Sequence, residues 1–292
     1  MNETIQAIIL AVVAMFGFGI SNGISKKYAQ AVGPLRLITY PRVLVVGGLF
    51  ILSVVSWQNV TFDWKYIGLG IFTIAISYFG LFFFNKSIEV GKVGVAVPVT
   101  AGRIIISAMV GVMFLEDSLN LLQFMSIFLV TFGIALLSLD FRQLKNSNIL
   151  NIESGVPYAV LAALFWGASM PFFGYFGNKV GVVFFAFLTE LTVFSQSIVH
   201  TKLRGMKVVV ARKRLKENIT GLAFIGVCTL IASLSVTAGF ATGKVGIVAA
   251  ISGSSPVISV LVARLLFKEL LEPKQYIAIF LVVAGIVGTS VF

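Results

Sequence analysis

Ten mostly apolar stretches, each about twenty residues long, follow one another along this chain and limit what it can fold into more than any other feature. A helix rises about 1.5 Å per residue, so about twenty residues cross the ~30 Å hydrocarbon of a bilayer. The stretches run Ile5 to Ile24, Leu35 to Ser56, Trp64 to Phe84, Val93 to Leu115, Leu119 to Leu139, Val156 to Phe176, Val180 to Val199, Ile219 to Phe240, Val245 to Phe267 and Gln275 to Phe292. Of the 292 residues, 58% are hydrophobic and 11% charged, against about a quarter charged in a soluble domain, which excludes a soluble globule. The expected fold class is an all-α polytopic membrane protein with ten transmembrane helices. The opening Met1-Asn2-Glu3-Thr4 has no basic leader, so the first stretch is expected to stay as a helix. The single cysteine, Cys228, excludes an internal disulfide framework.

The 22 Lys and Arg exceed the 11 Asp and Glu by 11 charges, and topology accounts for the excess, because cytoplasmic loops retain positive charge. Setting aside Arg42, Arg103 and Arg264, which lie within spans, every basic residue but Lys65, Lys179 and Lys244 falls in the connections after spans 1, 3, 5, 7 and 9. Both termini are therefore expected outside, in a multi-pass cell-membrane protein. The basic segment from Lys202 to Lys216 is read as a cytoplasmic contact with anionic lipid rather than with nucleic acid.

The second half echoes the first. Gly91-Lys92-Val93-Gly94-Val95 matches Gly243-Lys244-Val245-Gly246-Ile247, and that register pairs Arg103 with Ser255, Ser107 with Ser259, Gln123 with Gln275 and Gly133 with Gly285. Nearer the start of each half, Phe18-Gly19 corresponds to Trp166-Gly167, and Arg42 to Glu190. Two five-helix repeats are expected, residues 1–140 and 155–292, joined by a polar connector at 141–154. Because five is odd, consecutive copies cross the membrane in opposite senses, as in carriers that expose a midplane site to each side alternately.

The GKVG run before spans 4 and 9, Pro98 and Pro256 in those spans, the acids Glu116 and Glu269 at their ends and Trp166-Gly167 in span 6 resemble the drug/metabolite transporter superfamily, most of all its EamA branch. The resemblance covers essentially the whole chain. It implies a secondary transporter of a small metabolite, more commonly an exporter, with spans 3, 4, 8 and 9 around a central cavity. Family members are usually described with cytoplasmic termini, whereas the charge count here gives the reverse.

An ionisable group inside a span costs about 2.5–3.5 kcal/mol on insertion scales, so each needs a reason. Glu190, Arg103 and Arg42 are the deep ones. Arg42 and Glu190 can neutralise one another across the repeats, or Arg42 can satisfy carbonyls near Pro41; alternatively Glu190 binds a cation or proton. Arg103 faces Ser255 in the register and has no charged counterpart; in a helix that the resemblance places at the cavity, its guanidinium suits a carboxylate or phosphate on the cargo, such as an amino acid. Trp166 is a candidate cavity aromatic. Ser254 and Ser255, with Gly253 and Pro256, interrupt span 9, and Pro98 and Gly102 do the same for span 4, as helix breaks that mark sites or gates in carriers; close packing of small residues explains the same features.

An embedded enzyme is the rival class. His200 is the one histidine, read at a helix end with no nearby carboxylate, and no GxxxxGK[ST] run exists. No catalytic residue, metal or cofactor is expected. A flippase for a lipid-linked precursor, or a cationic drug/proton exchanger using Glu190, shares the fold. A monomer or homodimer is expected.

Overall fold

The computed structural model describes residues 3–90, 98–139, 154–207, 209, 212–268 and 270–291. It is helical from end to end: α1 Glu3–Val32, α2 Pro34–Val55, α3 Trp64–Val90, α4 Pro98–Phe114, α5 Leu121–Ser138, α6 Val156–Val180, α7 Val182–Leu203, α8 Arg212–Thr242, α9 Val245–Leu266 and α10 Pro273–Val291. All but α4 have the length and apolarity to cross a bilayer over their described residues; the start of span 4, with the first GKVG run, lies outside those residues, as do Glu269 and all of the connector except Ser154. Large apolar side chains such as Phe50, Phe72, Phe128 and Phe280 point outward, as a lipid-facing surface requires. Trp57 and Trp64 are exposed on either side of a short turn between α2 and α3.

Several helix limits differ from the sequence expectation. α1 continues to Val32 and α8 starts at Arg212, because a helix needs apolar side chains only inside the hydrocarbon and its backbone bonds run on through polar turns. Gly33, at φ 90, then lets the chain turn straight into Pro34 of α2. The break expected around residues 177–179 is instead the single residue Gly181, at φ 101, between α6 and α7; a Cβ there would stand 2.7 Å from the Asn59 carbonyl oxygen.

Packing repeats itself under exchange of the halves. α1 packs on α8 as α3 packs on α6, α1 on α9 as α4 on α6, and α2 on α8 as α3 on α7, while α2 with α7, α4 with α9 and α5 with α10 join equivalent helices. That reciprocity is the signature of a two-fold axis. It reaches single atoms. Ser259 Oγ donates to the Gly19 carbonyl at 3.0 Å, and Ser107 Oγ to the Gly167 carbonyl at 3.2 Å. A Cβ on Gly19 would run into Ile258 and the Ser255 carbonyl; one on Gly167 would meet Ile106 and the Arg103 carbonyl. Glu116 and Lys268, equivalent in the same register, both take the left-handed conformation, at φ 59 and 56.

Candidate functional site

The two-fold arrangement leaves a cavity of about 280 Å³ between the halves, lined from α1, α2, α3, α4, α6, α7, α8 and α9. The four helices that the resemblance implied are joined by α1 and α2 and their equivalents α6 and α7; α5 and α10 pack on each other and contribute nothing to the lining. Five pairs of equivalent positions face this space: Phe18 with Trp166, Asn22 with Met170, Arg42 with Glu190, Leu81 with Ser233, and Arg103 with Ser255. The cavity is therefore one wall built twice, with different chemistry on each copy.

Arg42 and Glu190 meet across it, Nε donating to Oε2 at 3.1 Å, with Glu190 buried and Arg42 partly open. Arg42 also donates through Nη1 to the Ile38 carbonyl at 2.9 Å, one turn back in α2. Pro41 lies inside this helix and has no N–H for the ladder. The guanidinium thus bonds both Glu190 and a carbonyl of its own helix, while the carbonyl that Pro41 leaves without a ladder partner is that of Leu37.

Arg103 differs. Its guanidinium carbon lies 5.2 Å from the Trp166 ring centre, a cation–π distance. Among the described residues it makes neither an ion pair nor a side-chain hydrogen bond. The ring itself is seated, because the missing side chain of Gly80 gives it room and Phe84 packs beside it at 5.6 Å. With Glu190 already paired, the lining of the cavity carries one positive charge without an anionic partner among the described residues.

The helix breaks position this charge. Residues 98–102 form tight turns, with Ala101 N–H donating to Pro98 and Gly102 N–H to Val99, and Gly102 caps the regular segment Arg103–Phe114. In α9 the chain breaks at Ser254 and restarts as Ser255–Phe267 with Pro256 in its first turn. Arg103 and Ser255 each open a helix segment beside the cavity. Gly253 and Ser255 line the cavity. Pro98, Gly102, Pro256 and Ser254 do not, and the wholly buried Ser254 donates back to Ala250. Arg264 lies elsewhere, on Tyr276.

The sequence reading missed much of the polar lining, namely Asn22, Ser77, Tyr78, Ser107, Thr189, Ser233 and Thr237, whereas Ser252, which opens the serine-rich break of span 9, does line it. Asn22 is a polar amide inside span 1 and gave a weaker form of the signal by which Arg42 was found. Ser233 and Thr237, one turn apart on a single face of α8, carried a weaker signal. His200 needs correcting too. It was read without a carboxylate nearby, yet the fold brings Glu89 of α3 within electrostatic range, beside Arg204.

The model of the EamA-like transporter family matches residues 5–139 and 153–291, nearly all of the chain. The chain belongs to the EamA-like transporter family. It is thus a multi-pass membrane transporter of the drug/metabolite type, and that family is one of transporters rather than enzymes. One crystal structure aligns with 98% of this EamA-like chain and 97% of its own length, at 16% identity and a TM-score of 0.75; at that identity the likeness shows the fold alone. A search of curated proteins found no match.

Proposed function

We propose that this transporter is a secondary carrier that exports a small carboxylate-bearing metabolite of the size of an amino acid, by alternating access between its inverted repeats. The observation that carries the reading is Arg103, a cavity guanidinium held over Trp166 with no anionic partner among the described residues. A guanidinium fork matches a planar carboxylate, and taking it out of water is best repaid by an anion that shares the space. At about 280 Å³ the cavity falls just below the ~300–1,000 Å³ of pockets for drug-sized ligands, which favours a small cargo. Glu190, engaged by Arg42, is less free to hold a cationic cargo. The protein sits in the cell membrane with the basic segment at residues 202–216 against anionic cytoplasmic headgroups.

The test is thermal stabilisation of the purified protein by amino acids, sugars, nucleotides and cationic drugs. A ligand of the folded state raises the melting temperature as its concentration passes its Kd. Anionic or zwitterionic compounds should stabilise the wild type, and the effect should vanish in Arg103→Ala and weaken in Arg103→Lys. Stabilisation by cations alone, lost in Glu190→Gln, would replace this reading with a cation exchanger.

A further inference from the structure

A hydrogen bond leads out of the cavity toward the basic side. Tyr78 lines the cavity from α3. Its hydroxyl lies 3.1 Å from Nδ1 of His200 and 3.3 Å from the Gln196 carbonyl oxygen. His200 stands in the last turn of α7, with Phe82 packed against its ring at 5.8 Å. Beyond it is an exposed cluster: Arg204 Nη2 is 3.2 Å and Lys86 Nζ 3.5 Å from the same oxygen of Glu89. The charges of Glu89 and Arg204 act on the imidazole, and that of Arg42 reaches Tyr78. The Tyr78–His200 hydrogen bond thus joins the wall that holds Arg42 and Glu190 to an imidazole within electrostatic range of a surface carboxylate.

Imidazole is the side chain whose ordinary titration falls between about pH 5 and 8. A neutral ring with bare Nδ1 accepts the Tyr78 proton, whereas an imidazolium can only donate. Protonation therefore reverses this hydrogen bond and turns the Tyr78 hydroxyl proton toward Gln196 or the cavity. We propose that His200 and Tyr78 form the carrier's proton site. Tyr78 passes its hydroxyl proton to the bare Nδ1 of His200 while its Oη takes up a proton from the cavity. The imidazolium then releases its Nε2 proton to the basic side and is left as the Nδ1–H tautomer. One proton enters, one emerges, and both side chains end neutral. This names the coupling ion of the carrier proposed above and rests on that reading for the coupling alone.

His200 is the one histidine in the chain, so its resonance assigns itself. The protein is reconstituted in nanodiscs with ¹⁵N-histidine and ¹³Cζ-tyrosine and titrated with protons alone across the imidazole range. The Tyr78 signal, identified by its loss in Tyr78→Phe, should move with the same midpoint as His200 and stand still in His200→Gln. A Tyr78 signal that ignores the titration of His200, or that moves equally in His200→Gln, overturns the proposal. In liposomes carrying a pH-sensitive dye, a gradient of mixed amino acids should shift lumenal pH in the wild type and not in either variant. Amino-acid flux with no pH change, or with the same change in the variants, also overturns it. Absence of any amino-acid flux would instead sink the cargo reading, leaving the resonance linkage to decide the proton site.

Discussion

Arg42 and Glu190 sit at equivalent positions with opposite charges and pair at 3.1 Å. Removing one partner of a buried pair costs about 3–5 kcal/mol, much of it from the charge left behind. Arg42→Glu alone, or Glu190→Arg alone, should therefore lower the melting temperature of the purified protein sharply, and the double reversal should restore most of the loss; equal damage in the single and double variants would dismiss the pair. These charges were legible in the sequence because each is expensive in a span. The hydroxyls of the lining were not, because serine and threonine hide in helices by bonding to a carbonyl one turn back. Thr131 donates to Ile127 and Thr237 to Ser233 in the same way, yet Thr237 lines the cavity and Thr131 does not. Their sequence contexts look alike, and the fold alone separates them.

Between elements, close approach decides which glycines matter. A Cβ at Gly167 would stand 2.6 Å from Ile106 Cβ, and Gly19 meets Ile258 in the equivalent contact, so Gly19→Ala and Gly167→Ala should each cost about 1–3 kcal/mol through overpacking. Gly47 has open space around it, and Gly47→Ala should leave stability unchanged or raise it by up to about 1 kcal/mol through helix propensity; melting temperatures of the three variants check both. On the turn after α4, Asp117 accepts a hydrogen bond from the Val245 N–H at 2.6 Å, tying one half to the start of α9 in the other. Burial holds its carboxyl above the usual range, against the opposing pull of the Val245 and Gly246 amides and of Lys244. The folded protein therefore binds a proton here that the unfolded chain has released, and stability from this group falls as pH rises through the raised value. Relative to Asp117→Asn, the wild type should lose melting temperature as pH climbs from the ordinary carboxylate range toward neutrality; parallel profiles would refute it. The existence of the helices could be read from apolar runs, whereas the lengths of α1 and α8 could not, because polar residues past the hydrocarbon carry no signal to stop.

For the whole molecule, the asymmetry of Lys and Arg predicts an orientation that can be tested from outside the cell. In a Cys228→Ser background, Lys65→Cys and Lys179→Cys should react with a membrane-impermeant maleimide on intact cells, and Lys213→Cys only after permeabilisation. The reverse pattern would give this chain the orientation usual for its family. The five-helix repeat was legible because an odd count and a shared register suffice to imply an axis, and the reciprocal serine bonds at Gly19 and Gly167 now mark that axis in atoms. The pairing of unlike charges at one repeated position also says something about ancestry and assembly. Two copies of the first half would bring guanidinium against guanidinium, and two copies of the second, carboxylate against carboxylate. If the gene were severed at the connector and its fragments co-expressed, each fragment would accept only the other as mate. A duplication that began with interchangeable parts has, through one residue on each side, become a marriage that neither part can leave.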